Sequence, residues 1–236
     1  MTSRTKLPLV LIGSGPGIGS NVASVFAAKR FDNVALIARD SQRLERDRHS
    51  VEEAAPSATV KTYAVDITDS EKFVSVLNQV SSEFGPPECV YFNAARVIPS
   101  ELFKFTNDEL VYDFKITCTA LHDAANWALP HLLKLANSGD KSVRPSLLVT
   151  SSLLPIDPIP QLFALSATKA SQKNMVQSLS KIYTPQGVHI GLVVVGGPVD
   201  PNSANLNPAK IAERAWEFFE GANWWDEKKF EVEIEP

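Results

Sequence analysis

Apolar residues occur along this chain in short continuous runs, separated by longer segments in which they recur every three or four positions. Most of the runs are apolar throughout, which is typical of strands covered on both faces. They are Leu7–Ile12, Val34–Ala38, Val60–Ala64, Cys89–Asn93, Ser146–Thr150, His189–Val195 and Phe230–Ile234. The segments with helical periodicity are Ile18–Lys29, Gln42–Glu53, Ser70–Phe84, Asp108–Leu135, Ser166–Tyr183 and Pro208–Glu220. Strands that alternate with helices in this way predict an α/β fold built on a doubly wound parallel sheet of about seven strands.

The length and composition indicate how many domains to expect. A chain of 236 residues fits one large α/β domain, and no low-complexity linker divides it, so we expect a single domain over residues 1–236. With 44% hydrophobic and 21% charged residues, a disordered chain is excluded on composition. The aromatic closing segment, with Trp216, Trp224 and Trp225, is predicted to pack around the last strand.

Charge and cysteine usage exclude several classes of partner. The net charge is −4, and the densest basic stretch, Arg39–His49, is interleaved with acidic residues, which favours a solvated helix face over a nucleic-acid site. Cys89 and Cys118 form no metal-binding or disulfide pattern, and reduced thiols suit a cytoplasmic protein. No apolar stretch approaches the ~18–20 residues of a membrane span. The histidines show no metal-ligand spacing.

A glycine-rich segment connects the first predicted strand to the first predicted helix. It consists of Gly13, Ser14, Gly15, Pro16, Gly17, Ile18 and Gly19. Glycines allow the backbone to approach a pyrophosphate closely, and the helix that follows offers unpaired N–H donors and the positive end of its dipole. This context, between a strand and a helix, predicts a dinucleotide site of the Rossmann type.

The end of the second strand bears on the choice of nucleotide. An NAD site usually has Asp or Glu about 20 residues beyond the glycines, where it accepts hydrogen bonds from the ribose hydroxyls. Here Arg39 occupies that place and Asp40 follows it, one residue into the loop. A guanidinium suits the 2′-phosphate of NADP(H), so we expect NADP(H) to be preferred over NAD(H). The alternative is that Arg39 only caps the edge of the sheet.

The order of the motifs along the chain resembles that of the short-chain dehydrogenase/reductase family. The matching segments are Gly13-xxx-Gly17-Ile18-Gly19, Asp66 in Ala64–Ile67, Asn93-Ala94-Ala95, Ser151-Ser152, Lys169-Ala170 and Gly196-Gly197-Pro198-Val199. The resemblance implies a small-molecule substrate and a nicotinamide cofactor. The cofactor-binding residues that it implies are Gly13, Ser14, Gly17, Ile18, Gly19, Arg39, Asp66, Ile67, Asn93, Ala94, Lys169, Gly197 and Val199.

The chain departs from the family pattern at its catalytic residues. Leu165 stands four residues before Lys169, where the family has its catalytic tyrosine. Lys115 replaces the family's asparagine, either as a buried ammonium that acts as an acid or as a member of a structural ion pair. The candidate catalytic residues are therefore Ser152, Lys169 and Lys115.

Three functions remain open on these residues. The first is an atypical NADP(H)-dependent oxidoreductase that reduces an iminium or a carbonyl without a tyrosine acid. The second is a catalytically degenerate protein that binds or senses NADP(H). The third is a non-redox isomerase or cyclase on the same scaffold, since fold alone does not decide function.

The resemblance also implies partners and a wall for the site. The family pairs two of its helices across a two-fold axis, which here are Asp108–Leu135 and Ser166–Tyr183, so a homodimer or homotetramer is expected. The loop Leu153–Phe163 follows the fifth strand at the edge of the sheet where ligands bind, and we expect it to line the site.

Overall fold

All seven apolar runs form strands of one parallel sheet in the computed structural model, which describes residues 4–221 and 229–236. The strands are β1 (Leu9–Ile12), β2 (Asn33–Ala38), β3 (Thr59–Ala64), β4 (Cys89–Phe92), β5 (Ser146–Ser152), β6 (His189–Val195) and β7 (Glu231–Ile234). Their order across the sheet is β3-β2-β1-β4-β5-β6-β7. The order reverses between β1 and β4, so a crevice opens at the C-terminal ends of these two strands.

Helices cover both faces of the sheet. They are α1 (Ile18–Lys29), α2 (Ser41–Ala54), α3 (Ser70–Phe84), α4 (Asn107–Phe114), α5 (Ala120–Ala136), α6 (Phe163–Tyr183) and α7 (Pro208–Glu220). One apolar core joins the sheet to α3, α5 and α6, and a second core joins it to α1, α2 and α7. The described residues therefore form a doubly wound, Rossmann-type α/β domain, as the periodicity predicts.

The prediction of one continuous helix over Asp108–Leu135 is wrong. The segment is divided into α4 and α5 by a π-helical turn at Lys115–Thr119. A π-helical turn inserts one extra residue into the helix and is frequent at functional sites. The apolar periodicity runs across the turn with little change, so the pattern of the sequence alone does not reveal it.

Other element boundaries differ from the predicted ones by a few residues. β1 begins at Leu9 rather than Leu7, because Pro8 has no N–H for the sheet. α6 begins at Phe163, three residues before the predicted start. α7 has its predicted bounds, since Asn207 caps it and Pro208 is its first residue. Trp216 is buried against α1, whereas Trp224 and Trp225 lie outside the described residues.

Neither a membrane-spanning helix nor a metal-binding cluster occurs among the described residues. Within residues 4–221 and 229–236, no helix combines the length and the hydropathy required to cross a bilayer. In the same ranges, no three His, Cys, Asp or Glu side chains converge on a position that would hold a metal ion.

Candidate functional site

The glycine segment contains two kinds of glycine. Gly13 has a φ of +90°, and a Cβ placed on it would lie 2.5 Å from the backbone nitrogen of Ala94. A Cβ on Gly19 would lie 2.6 Å from the carbonyl oxygen of Gly13. A Cβ on Gly15 or Gly17, by contrast, would meet no atom within 4 Å. Gly13 and Gly19 are therefore required by chain packing, whereas Gly15 and Gly17 border open space.

The N-terminus of α1 faces this open space. Gly17 is the N-cap residue of α1, so no side chain accepts a hydrogen bond from the first amides of the helix. Asp40, Asp69, Thr106 and Asn207 do supply such caps to α2, α3, α4 and α7. The amide of Ser20 donates to the carbonyl oxygen of Gly15 over 3.1 Å, so the amides that precede it in α1 and the positive end of the helix dipole are available to an anion such as a pyrophosphate.

Asn93 connects the glycine segment to the neighbouring strands. Its side-chain nitrogen donates to the carbonyl oxygen of Gly13 over 3.0 Å. Its side-chain oxygen accepts from the hydroxyl of Thr150, at the end of β5, over 2.8 Å. The side chain of Asn93 therefore fixes the glycine segment to β5.

Ser14 is tied to a buried acid that the sequence did not single out. Its hydroxyl donates to Asp47 on α2 over 2.7 Å, and Arg43 forms an ion pair of 2.8 Å with the same carboxylate. The solvated helix face predicted for this part of the chain is thus wrong at Asp47, which is 1% exposed. Leu44, Asp47 and Val51 share the buried face of α2, and that spacing is the signal that was available.

Arg39 follows the last residue of β2, and its side chain extends to α4. One of its terminal nitrogens donates to the hydroxyl of Tyr112 over 2.7 Å. The guanidinium of Arg96 lies 5.3 Å from the centre of the Tyr112 ring and forms an ion pair with Asp113. The neighbouring Asp40 is engaged in capping α2, where its carboxylate accepts from the amide of Arg43. Sequence reasoning did not identify Tyr112 or Arg96.

Asp66 and Ile67 follow β3 on the same edge of the sheet. The exposed carboxylate of Asp66 accepts from both the amide and the hydroxyl of Thr68, at 3.0 and 2.8 Å. These two bonds fix its orientation. The side chain of Ile67 is buried in the core, so only its backbone can serve a ligand.

Ser152 ends β5 on the edge that holds the glycine segment. Its hydroxyl oxygen accepts from the amide of Leu154 over 3.3 Å, which leaves the hydroxyl proton available to an acceptor. Ser151, beside it, is buried, and among the described residues its hydroxyl has no hydrogen-bond partner.

The loop Leu153–Phe163 is held against α6. The hydroxyl of Ser166 donates to the carbonyl oxygen of Leu162 and accepts from the amide of Ile159. Ser166 therefore serves to anchor the loop.

Lys169 is buried behind the end of β5. Its ammonium donates to the carbonyl oxygen of Thr150 over 2.8 Å and to the side-chain oxygen of Gln172 over 2.9 Å. Burial lowers the pKa of Lys169 to about 8, because the ammonium is removed from water. Sequence reasoning missed Gln172, although three residues on a helix place it beside Lys169.

The remaining candidates differ from what was expected. Lys115 begins the π-helical turn and is exposed, so the expectation of a buried ammonium there is wrong. Leu165 is 6% exposed on the first turn of α6. In the turn after β6, a Cβ on Gly197 would lie 3.0 Å from Leu206, and Val199 is exposed. Lys115 therefore has no buried charge, while Ser152 and Lys169 remain the candidates at the end of β5.

Comparison with known families agrees with this arrangement. Residues 9–210, which extend from β1 into α7, match the model of the short chain dehydrogenase family. The protein belongs to the short-chain dehydrogenase family. An uncharacterised oxidoreductase of Mycobacterium tuberculosis is a relative within it, 24% identical over 197 residues, which cover 83% of this chain and 75% of the relative.

A second relative is longer than this chain. It is a very-long-chain 3-oxoacyl-CoA reductase of Meyerozyma guilliermondii, 28% identical over 189 residues. The match covers 78% of the present chain and 54% of the Meyerozyma guilliermondii reductase.

Solved structures share the whole fold. A metagenomic short-chain oxidoreductase in complex with NADP superposes with a TM-score of 0.82 at 18% identity, covering 99% of this chain and 98% of the other. An NADPH-bound short-chain oxidoreductase of Pseudomonas aeruginosa, described as containing an atypical catalytic centre, also gives 0.82 at 18% identity. There the match covers 100% of this chain and 97% of the other.

Proposed function

We propose that this protein is an NADP(H)-dependent oxidoreductase that transfers a hydride to a small organic acceptor, an iminium or a carbonyl, without a tyrosine acid. The observation that carries the proposal is the open space in front of Gly15 and Gly17, at the uncapped N-terminus of α1. A pyrophosphate requires such a cradle. The NADP-bound short-chain oxidoreductases of the same fold support a nicotinamide nucleotide as the ligand.

The proposed cofactor contacts follow the C-terminal edge of the sheet. The amides of the glycine segment and of α1 hold the pyrophosphate, and Asp66 accepts a hydrogen bond from the adenine. Arg39 binds the 2′-phosphate, which makes NADP(H) the preferred nucleotide. Lys169 donates to the hydroxyls of the nicotinamide ribose. The other proposed contacts are Gly13, Ser14, Ile18, Gly19, Ile67, Asn93, Ala94, Gly197 and Val199.

The residues near β5 determine which acceptor can be reduced. When bound, NADPH supplies a hydride to an electrophilic carbon. Ser152 can donate a hydrogen bond to a carbonyl oxygen or accept one from an iminium N–H, but Leu165 has no proton to give. Reduction of a carbonyl requires a proton at oxygen, and losing a positioned general acid costs about 10²–10⁴ in rate. An iminium needs no proton to complete its reduction, so we favour an iminium acceptor.

The test is an assay of NADPH oxidation by the purified protein with a panel of cyclic iminium and carbonyl compounds. We expect turnover with an iminium compound. Ser152→Ala should slow turnover and leave NADPH affinity unchanged, and with a carbonyl acceptor the loss of one aligned donor should lower kcat by about 10²–10³-fold. Ser178→Ala, which removes an exposed hydroxyl on α6, is the matched control. Absence of turnover across the panel would contradict the proposal.

A second candidate function is a protein that binds or senses NADP(H) without turnover. It is favoured by the positions of the tyrosines, because none of them lies on α6 one turn before Lys169, where Leu165 stands. They are Tyr63 on β3, Tyr91 on β4, Tyr112 on α4 and Tyr183 at the end of α6. Tight NADPH binding without activity, together with carbonyl reduction gained by Leu165→Tyr, would identify this function.

We also infer that the protein associates with a second copy of itself through α4, α5 and α6. Val111 and Phe114 support this assembly, since they are 54% and 40% exposed on α4. Light scattering coupled to size-exclusion chromatography should give the mass of a homodimer or homotetramer. The mass of a monomer at micromolar concentration would contradict it.

A further inference from the structure

The ammonium of Lys169 is enclosed by protein and has more donors than internal acceptors. Its side chain is nearly inaccessible, with the residue 5% exposed. An ammonium has three N–H donors, and two of them are used by the carbonyl oxygen of Thr150 and the side-chain oxygen of Gln172. Among the described residues, no carboxylate contributes to its pKa shift, whose causes are burial and the nearby Cys118 thiol. One N–H therefore remains for a ligand.

Gln172 is itself completely buried, which is unusual for a glutamine on an outer helix. Its two polar atoms have separate partners. The oxygen accepts from Lys169 over 2.9 Å, and the nitrogen donates to the carbonyl oxygen of Thr117 over 3.1 Å. Thr117 lies in the π-helical turn, so Gln172 connects that turn to the ammonium.

The π-helical turn explains why such a connection is needed. A π-helical turn changes the i→i+4 hydrogen-bond pattern, and a carbonyl that loses its helical partner requires another donor when it is buried. Thr117 lies in this turn and is buried, and its carbonyl oxygen accepts from the amide nitrogen of Gln172. The amide of Gln172 is thereby held in one orientation, with its oxygen facing Lys169.

We propose that Gln172 is a positioning residue for Lys169, holding the ammonium at the end of β5 so that its third N–H is directed to a ribose hydroxyl of the nucleotide. The proposal rests on the proposed binding of NADP(H). Gln172 does not itself contact the nucleotide. It acts through the 2.9 Å bond to Lys169, which fixes the side chain before the nucleotide arrives.

The titration of Lys169 can be measured separately from that of its neighbours. The titratable groups that face this region are Cys118, on the π-helical turn, and Tyr91, whose hydroxyl lies 3.2 Å from that of Thr150. Burial raises the pKa of the Cys118 thiol to about 11 and raises the pKa of Tyr91 as well, so both are neutral near pH 8. Lys169 is therefore the group among these three that changes charge near pH 8.

Two variants separate the two hydrogen bonds of Gln172. Gln172→Glu keeps an acceptor for Lys169 at the same chain length and loses the donor to Thr117. Gln172→Met has a similar volume and loses both bonds. A purely structural role at the π-helical turn predicts equal NADPH affinity in the two variants, because both lose the donor to Thr117, whereas positioning of Lys169 predicts that the affinities differ. Gln177→Met is the matched control, because Gln177 lies on the same helix and forms no side-chain hydrogen bond among the described residues.

The experiment measures NADPH affinity by calorimetry and the Lys169 titration by NMR of protein with isotope-labelled lysine, assigned with Lys169→Arg. For Gln172→Met we expect about three- to ten-fold weaker NADPH binding, as for one hydrogen bond, and a lower titration midpoint. For Gln172→Glu we expect affinity within about two-fold of wild type, because the acceptor is retained, and a higher midpoint. Equal NADPH affinities in the two variants, or a midpoint in Gln172→Met unchanged from wild type, would overturn the proposal.

The titration also separates this proposal from the proposed function. It is recorded on protein without nucleotide, so it reports on the contact between Gln172 and Lys169 whether or not NADPH binds. If wild-type protein takes up neither NADPH nor NADH, the proposed function fails. In that case the contact to the ribose fails with it, and the midpoint in Gln172→Met alone tests whether Gln172 holds the ammonium.

Discussion

The guanidinium of Arg39, at the end of β2, donates a 2.7 Å hydrogen bond to the hydroxyl of Tyr112 on α4. The two residues are 73 positions apart in the sequence. Their bond joins the two sides of the crevice at which the strand order reverses. Because a phenol hydroxyl is neutral, the bond orients the guanidinium and leaves its positive charge available to a phosphate.

We predict that Arg39→Ser weakens NADPH binding by about 10- to 100-fold, the effect of losing a charge-assisted hydrogen bond to phosphate. NADH has no 2′-phosphate, so its affinity should change by less than about two-fold. Calorimetric titration with both nucleotides measures the ratio. Tyr112→Phe, which removes only the orienting bond, should weaken NADPH binding by a few-fold at most.

The control for Arg39→Ser is Arg46→Ser. Arg46 is exposed on α2, and its replacement removes the same charge from the protein. It should leave both affinities unchanged at moderate ionic strength, since exposed charges beyond about 10 Å are screened. Equal loss of NADPH and NADH affinity in Arg39→Ser would contradict a 2′-phosphate role.

The glycines allow binding and folding to be separated. Gly13→Ala should lower the free energy of unfolding by at least about 2 kcal/mol, because Gly13 has a positive φ and its Cβ would collide with backbone. Gly17→Ala should cost about 1 kcal/mol or less. It should nevertheless weaken nucleotide binding about tenfold or more, equal to about 1.4 kcal/mol, since its Cβ enters the open space.

Urea denaturation measures the two stabilities, and calorimetry measures the affinity of the folded variants. A Gly17→Ala protein that binds NADPH as tightly as wild type would show that the pyrophosphate does not lie against this segment. Gly85→Ala is a useful reference, since Gly85 also has a positive φ but its Cβ would meet no atom within 4 Å. It isolates the cost of backbone strain.

The elements could be predicted wherever one local signal decides them. The buried strands are continuous apolar runs, and α7 has both a cap at Asn207 and Pro208 as its first residue. The glycine segment can be predicted for the same reason, because the residues that form it, Gly13 to Gly19, are consecutive in the sequence. The predicted start of α6 is wrong because its N-cap residue is Leu162, whose side chain cannot cap a helix and gives no signal in the sequence.

The parts that were missed depend on contacts between distant residues. Gln172 appears in the sequence as an ordinary polar helix residue, and its role exists only because Thr117 and Lys169 approach it in the fold. Asp47 is similar, since its partner Ser14 is 33 residues away. A buried ammonium at Lys115, one of the two roles predicted for it, is wrong, because Lys115 is exposed at the start of the π-helical turn.

A buried ion pair at the opposite edge of the sheet should control stability without touching the site. Arg30 forms two hydrogen bonds with Glu88, and both side chains are almost completely buried. Glu88→Gln should lower the free energy of unfolding by about 3–5 kcal/mol, because the buried guanidinium loses the carboxylate that neutralises it. Nucleotide affinity, measured on the folded fraction, should stay unchanged.

The control for Glu88 is an exposed ion pair that also involves α1. Lys29 pairs with Glu213 on α7, and both side chains are partly exposed to solvent. Glu213→Gln should change the free energy of unfolding by less than about 1 kcal/mol. Similar losses of unfolding free energy in the two variants would show that burial does not increase the contribution of the Arg30–Glu88 pair to stability.

The burial of Lys169 should also appear in the dependence of stability on pH. Its pKa falls from an ordinary value of 10.5 to about 8 in the folded protein, because burial disfavours the ammonium. Between these two values the unfolded chain holds a proton at this site that the folded protein has released. The free energy of unfolding should therefore increase with pH across this range, by about 1.4 kcal/mol per pH unit at most.

Lys169→Met removes this contribution and serves as the reference. We predict that the stability of wild type, minus that of Lys169→Met, rises by about 3 kcal/mol between pH 8 and pH 10.5 and is level below pH 8. Other groups that titrate at alkaline pH contribute equally to both proteins and cancel in the difference. Urea denaturation at a series of pH values measures it. A difference that stays level, or falls, as the pH rises would mean that the Lys169 ammonium is not destabilised by the fold.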